Sequence, residues 1–309
     1  MIVVAGLSPA WQQILVFDEV SAGEVNRADK AHWCASGKVL NVARAVHALR
    51  GEVDTACPVG GPAGDAICDE FDTDGILAMW VPTRSSTRVC TTIIENTTGR
   101  VTEFVENARA ITANELSEFE SVYSQVASEA DLCVLTGSLP EVEGQGKPTD
   151  LYARLMTASP RVILDVRGPE LKAALPHRPL LVKPNREELG MTCGRVLRTD
   201  EEALNAMREL NAGGADWVLV TNGTDDVLLT NKSAVWRFSV PSVEVRNPIG
   251  CGDCLAAGIA VALSDGTDMI EAVRFGIAAA AQNATDILPA RFDRTAVNEL
   301  THMVNVRSC

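Results

Sequence analysis

The stretch Asn247-Pro248-Ile249-Gly250-Cys251-Gly252-Asp253 decides the reading of this chain, and it runs directly into the apolar segment Cys254–Leu263. The residues before it, Ala234–Val245, pattern as a strand. Those after it place Leu255, Ala256, Ile259, Ala260 and Leu263 at helical spacing. The two glycines therefore stand where a turn becomes a helix. Glycine lets backbone N–H groups approach a ligand, and a helix N-terminus attracts anions. An anion hole from the amides of Gly250, Cys251 and Gly252, beside the Asp253 carboxylate, is suited to moving a phosphoryl group. The aspartate takes the proton of an attacking hydroxyl, and the amides hold the charge that develops. A plainer reading fits the same residues: a tight turn with an aspartate N-cap.

Composition sets the bounds. A chain of 309 residues with 46% hydrophobic content can bury a large α/β core. Its net charge of −14 argues against a general nucleic-acid or membrane-surface binder, while a pocket can still be locally basic. Nine scattered Cys and only four His make a poor zinc set and suit free thiols in a reducing cytoplasm. The start, Met1-Ile2-Val3-Val4-Ala5-Gly6, lacks a basic leader and reads as a first strand. No stretch approaches the roughly 20 apolar residues of a membrane span. The expectation is a cytoplasmic protein.

Taken in order, strand Ile2–Gly6 ends in Ser8-Pro9, and Ile14–Phe17 is a short β-run. Ser36-Gly37-Lys38 opens a helix whose apolar face is Val39, Val42, Val46 and Leu49. Lys38 is either a solvated surface lysine or a cation facing an anionic ligand. Val53–Val59 is a strand, and Gly60–Asp65 reads as turn chemistry. Arg88–Glu95 and Val101–Glu106 alternate around Asn96-Thr97-Thr98-Gly99, the pattern of a hairpin. With the Ile14–Phe17 and Ala28–Trp33 regions it predicts a small separate sheet, a lid of segments near 11–34 and 84–107. Arg88 there is either an edge-strand charge or a ligand-facing one.

From Glu115 onward helices alternate with the strands Leu132–Leu135, Val162–Leu164, Leu180–Val182 and Val218–Val220. Continuous apolar strands separated by helices predict a parallel sheet covered on both faces. Ligands bind outside the carboxyl ends of such strands. The small-residue run Ala278–Ala281 permits close approach to another helix or to a flat ring.

Together these pieces resemble the ribokinase-like, PfkB-type carbohydrate kinases over essentially the whole chain, residues 1–309 as one domain. The hexose-phosphate branch, with 1-phosphofructokinase and tagatose-6-phosphate kinase, is the most similar. The matching residues fall in family order: Ser8-Pro9-Ala10, Gly23–Arg27, Ser36–Asn41, Thr87-Arg88, Thr102-Glu103, Thr136–Pro140, Lys183-Pro184-Asn185-Arg186-Glu187-Glu188 and Asn247–Asp253. The resemblance implies a three-layer α/β/α fold with a mostly parallel central sheet and a small β-sheet lid. It implies ATP as co-substrate, Mg²⁺, a sugar phosphate as acceptor, and a homodimer formed through the lid.

It also assigns roles. Asp253 is the base and Gly250-Cys251-Gly252 the anion hole. Asn185 and Glu188 organise Mg²⁺ through water. Lys183, Asn185, Thr221, Gly223 and Gly252 meet the nucleotide. Gln12, Gly37 and Asn41 face the sugar, while Lys38, Arg88 and Ser138 hold the substrate's own phosphate. Phosphoryl transfer is mostly positioning and charge neutralisation, which such residues supply.

Four departures lie on the sugar side. Gln12 replaces an aspartate, and Ser36 and Val39 replace glycines. Val105–Ala108 replaces an Asn-Glu-Pro-Gly-like run, and Glu141–Gly144 lacks the usual Pro-Gly. They leave two alternatives open: a kinase of an unphosphorylated sugar or nucleoside, and a nucleotide-binding protein with weakened catalysis. The sequence argues against a Rossmann dehydrogenase and a P-loop kinase, since neither glycine signature is present.

Overall fold

The structure is a computed structural model that describes residues 1–159 and 161–308. In chain order its strands are β1 (Ile2–Ala5), β2 (Ala10–Phe17), β3 (Lys30–Ser36), β4 (Val53–Val59), β5 (Ala78–Pro82), β6 (Arg88–Glu95), β7 (Val101–Val105), β8 (Leu132–Thr136), β9 (Val162–Asp165), β10 (Leu181–Val182), β11 (Trp217–Val220), β12 (Val227–Thr230), β13 (Val235–Phe238) and β14 (Val306–Ser308). Its helices are α1 (Lys38–Ala48), α2 (Gly61–Asp74), α3 (Ala113–Ala127), α4 (Leu151–Leu155), α5 (Gly168–Ala174), α6 (Arg186–Cys193), α7 (Asp200–Gly213), α8 (Cys251–Ser264), α9 (Met269–Ala284) and α10 (Arg294–Thr301).

The large sheet runs β14-β13-β12-β11-β10-β9-β8-β1-β4-β5. From β11 to β5 every pairing is parallel, and β12, β13 and β14 extend the sheet antiparallel. The pleat explains the three layers. In β1, Ile2 and Val4 join one apolar cluster with residues of α1, α2, α8 and α9. Val3 and Ala5 point the other way, into a cluster with residues of α3 to α7. Such strands are buried on both faces, which is why they read as unbroken apolar runs.

Helices α8 and α9 pack closely because both carry small residues at their contact. A Cβ added at Gly258 would lie 2.7 Å from the Gly276 Cα. The small-residue stripe of α9 thus meets another helix.

Sequence and structure differ in four places. Gly60–Asp65 enters α2, which buries only Gly64, Ile67 and Phe71 and so has a weak apolar period. The strand expected over Ala234–Val245 is confined to Val235–Phe238. Helix α6 follows Lys183-Pro184-Asn185 directly, where the sequence was read only as a motif. Strands β12 and β14 are four and three residues long, too short for a periodic signal.

The second sheet has the order β3-β2-β6-β7. Strand β2 pairs antiparallel with β3 and parallel with β6, with Gln12 opposite both Cys34 and Cys90. Alternation puts Gln12, Ile14, Cys34, Cys90, Thr92 and Ile94 on a buried face. The opposite face carries Trp11 stacked on Trp33 and an exposed Phe104.

Candidate active site

The carboxyl ends of β8, β9 and β10 and the N-termini of α1 and α8 meet at one place. Asp165, the last residue of β9, is 1% exposed and receives two cations. Lys38 at the start of α1 and Lys183 just after β10 each bring Nζ within 3.2 Å of its Oδ1. The Thr136 hydroxyl, at the end of β8, lies 3.4 Å from the other oxygen. Burial works against the charge on Asp165, but Lys183 and Lys38 outweigh it and hold the carboxyl below its usual range. Lys38 Nζ also reaches Glu188 Oε1 at 3.3 Å. It is therefore no solvated surface lysine, and its ammonium is directed at these carboxylates.

Asp253 faces this cluster from α8. Gly250, with φ +83°, is the N-cap of the helix and makes no side-chain cap bond. A side chain there would be strained, and its Cβ would press on Pro289 at 3.0 Å. Asp253 sits three residues on and is 6% exposed, so the aspartate N-cap reading does not hold. Its Oδ2 accepts from Asn41 Nδ2 at 2.8 Å. Burial, seconded by the Asp165 charge, pushes its carboxyl up to about 7 against the pull of Lys38, Asn41 and Lys183. A carboxylate titrating there is matched to taking a proton near neutral pH. A Cβ added at Gly252 would lie 3.4 Å from Lys183 Nζ. The lysine thus stands beside Gly252 in the first turn of α8, where helix N-terminal amides favour an anion; of these the Cys251 N–H also donates to Pro248 O at 3.3 Å.

Other residues support these. The Asn41 amide is 2% exposed, with its oxygen receiving the Ser36 hydroxyl at 3.1 Å and its nitrogen donating to Asp253. The sequence expectation was a sugar ligand; in this structure the oxygen of its amide is engaged by Ser36 and its nitrogen by Asp253. Gly37, with φ +86°, lets α1 start against β1's exit, where a Cβ would lie 2.7 Å from Ser8 O. Arg88 is no simple edge charge, since its guanidinium donates to Ser8 O, Pro9 O and Glu106 O at 3.0 to 3.2 Å. Ser138 Oγ donates to Ser8 Oγ at 3.1 Å, and Ser8 Oγ donates to Ser138 O. Arg88, Ser8 and Ser138 thus converge at a second point of the site. Gln12 is 2% exposed on the buried lid face, with Nε2 donating to Thr92 Oγ1 at 2.7 Å.

Asn185 and Glu188 form a reciprocal capping box at the start of α6. Asn185 Oδ1 accepts from Glu188 N at 2.8 Å, and Glu188 Oε2 accepts from Asn185 N at 3.0 Å. Among the described residues there is no group of three or more His, Cys, Asp or Glu fit to hold a metal ion. A hard divalent cation that keeps its waters and is carried by phosphates still fits the hard oxygens of Glu188 and Asn185, with Glu188 Oε1 paired to Lys38 at 3.3 Å and more loosely to Arg167 at 3.9 Å. Thr221 pairs with Asn185 in an isolated parallel bridge, which brings it beside that helix start. Gly223, with φ +59°, has open space where a side chain would be. A separate cavity of about 460 Å³ lies among Arg44, His47, Asp74 and Arg291. Its arginines already pair with Glu70 and Asp74, so no charge is left waiting for an anion.

Sequence reasoning passed over three residues. Asp165 was only a strand end, and nothing local distinguishes it. Ser8 was quoted in a motif without a role. Cys254 stands in a Cys-x-x-Cys spacing with Cys251, a visible pattern, and both thiols touch Asn283. Eight described cysteines are free. No described helix is long and apolar enough to cross a membrane.

An acceptor-proton base matched to neutral pH is testable directly. If Asp253 is the base, the ascending limb of kcat/KM against pH is expected to have its midpoint close to 7, where its carboxyl ionises. Replacing the neighbouring cation, Lys38→Met, is expected to move that midpoint upward in the residual activity. A pH profile of the two proteins checks both statements.

Solved structures share this architecture. Escherichia coli phosphofructokinase-2, solved with substrates and products, aligns at TM-score 0.88 and 24% identity, covering 98% of each chain. A Thermotoga maritima protein described as a possible 1-phosphofructokinase aligns at TM-score 0.90 and 20% identity, covering 100% of this chain and 99% of that one. Arabidopsis thaliana ribokinase, solved with ribose and ATP, aligns at 0.74 and 21%, covering 97% and 98%. At these identities they establish the ribokinase-like fold. Residues 3–291 match the pfkB family of carbohydrate kinases, and the chain belongs to that family of ATP-dependent sugar kinases.

Proposed function

We propose that this kinase transfers the γ-phosphate of ATP to a hydroxyl of a sugar phosphate. The observation that carries the reading is Asp253: a buried carboxylate pushed up to about 7, standing between the amides that open α8 and two lysines. Asp253 takes the proton of the acceptor hydroxyl as its oxygen attacks. The Gly250, Cys251 and Gly252 amides and Lys183 hold the transferred phosphoryl oxygens. Lys38 lies between Asp165, Glu188 and Asp253, so its ammonium serves the phosphoryl group in flight more directly than the substrate's own phosphate. Mg²⁺ bound with ATP would neutralise phosphate charge, with Glu188 and Asn185 holding its waters. Thr221 and Gly223 line the nucleotide side.

The substrate's own phosphate is assigned to Arg88, Ser8 and Ser138. These are a cation and two hydroxyls gathered at a second point of the site. Gln12 faces the sugar from the lid together with Gly37. Because its amide is tied to Thr92, the acceptor contact an aspartate would make is weakened. Gln12→Asp is expected to raise kcat/KM on fructose 6-phosphate, fructose 1-phosphate or tagatose 6-phosphate by about tenfold, as one charged hydrogen bond contributes. Unchanged kinetics on all three would count against the retuned acceptor site.

The reading is tested by ADP release from Mg·ATP against a panel of sugars and sugar phosphates. Turnover on a phosphorylated hexose supports it. Turnover only on neutral sugars would favour the alternative that the involvement of Arg88 with backbone carbonyls already suggests. The exposed lid face of Trp11, Trp33 and Phe104 supports a lid-to-lid homodimer, measurable by light scattering.

A further inference from the structure

Asn283 lies near the C-terminal end of α9 and is 1% exposed. Its amide makes four contacts around the turn that opens α8. Nδ2 donates to Ile249 O at 2.9 Å and to Cys251 Sγ at 3.3 Å. Oδ1 accepts from Ala290 N at 2.7 Å and from Cys254 Sγ at 3.3 Å. Three of these contacts hold the turn and the first residues of α8. The fourth holds the loop that crosses over them.

That loop is constrained. Ala290 has φ +58°, which an alanine rarely adopts, and is 1% exposed. Its neighbour Pro289 packs against Gly250. Arg291 pairs with Glu70 at 2.7 Å and Asp74 at 2.9 Å, and Glu70 also accepts from Ala35 N at the end of β3 at 2.6 Å. The loop is thus fixed to the root of the lid on one side and to the α8 turn on the other, where the Asn283 amide is joined by Asn247 Nδ2, which donates to Ile287 O at 2.7 Å.

We infer that Asn283 is a positioning residue for phosphoryl transfer, aligning the Gly250–Gly252 amides and the helix start that bears Asp253. It acts through Ile249 O and Cys251, and rests on the reading of that turn as the anion hole. The surroundings present two acceptors and two donors to one side chain. Only a carboxamide matches both sets; an alkyl group matches neither, and a carboxylate matches the donors alone. Misplacement by a fraction of an ångström matters here, because preorganised amides act only if they point at where charge develops.

The test is steady-state kinetics of the wild type, Asn283→Ala, Asn283→Asp and Asp253→Asn. Mg·ATP is used with fructose 6-phosphate, fructose 1-phosphate or tagatose 6-phosphate, whichever the wild type turns over fastest. If it turns over none, the sugar-phosphate reading has failed, and the slow hydrolysis of Mg·ATP at the same turn is read instead. Asn283→Ala is expected to lower kcat about 100-fold, the loss seen when an anion-hole donor is removed. Asn283→Asp, which keeps the two accepted bonds, is expected to lose about tenfold by the same scale. The KM for the sugar phosphate should stay within about threefold in both, since its contacts lie on the lid and at Arg88. A residue that only held the fold would reduce the folded fraction and leave kcat per folded molecule unchanged. That result, or failure of both variants to fold, overturns the inference. An active Asp253→Asn would instead mean that the site reading itself is wrong.

Discussion

Asp253→Asn is expected to lower kcat on the order of 10³-fold while leaving the protein at least as stable as the wild type. The two effects have one cause. The carboxylate is 6% exposed and pushed up to about 7, so the fold disfavours its charge. Unfolded, the same group ionises near 3.9. Its contribution therefore favours the folded state only when it is protonated, and ionisation weakens the fold as pH rises from the unfolded value through 7. At pH 8 the full shift corresponds to roughly 4 kcal/mol at most. Asparagine removes that burden and still accepts from Asn41 Nδ2. Thermal melts at pH 8 and pH 5 check it: the stability gain should be larger at pH 8 and shrink as the wild type becomes protonated. A variant inactive and also less stable at pH 8 would mean that the carboxylate mainly anchors Lys38 and Lys183. A variant still active would remove Asp253 from the chemistry.

The sequence pattern carried the turn that opens α8 well because its information is local. Gly250, Gly252 and Asp253 sit within four residues, and their spacing alone places two glycines and an acid where a turn gives way to a helix. The parallel core was legible for the same reason, each strand being an apolar run bounded by polar ends. What stayed hidden depends on distant chain. Asp165 has no local mark; its meaning comes from the sheet, which sets β9 beside β10 and points it at α1, so that Lys38 and Lys183 both reach it. Gln12 was visible as a changed residue, but its hydrogen-bond partner is Thr92, 80 positions away, on a strand aligned by the lid's register. Asn41 was visible as a polar residue at a helix start, yet its partner Asp253 lies 212 positions on. Charge type could be read from the chain; what each charge faces could not.

Arg88 makes the other large effect. If it holds the substrate's own phosphate, Arg88→Ala is expected to lower kcat/KM for a sugar phosphate by about 10²- to 10⁴-fold. Two charge-assisted hydrogen bonds of about 1.5–3 kcal/mol each would be lost. Turnover of a neutral sugar offers the baseline, because it lacks the phosphate and should change far less. Such a comparison is needed because Arg88 also has a scaffolding task. Its bonds to Ser8 O, Pro9 O and Glu106 O tie the β1 exit to the lid, so removing it loosens both. A loosened lid weakens every acceptor alike, whereas a lost phosphate ligand weakens only the phosphorylated one. Arg88→Lys separates the two further. Lysine keeps the charge but not the planar fork, so it can meet a phosphate as a point charge and cannot span three carbonyls. If the phosphate role dominates, lysine restores part of the kcat/KM that alanine loses, and does so for the sugar phosphate alone. Equal losses for both acceptors, with no rescue by lysine, would make Arg88 a clamp of the lid. The substrate's phosphate would then have to be held by Ser8, Ser138 and the amides of the turn between them.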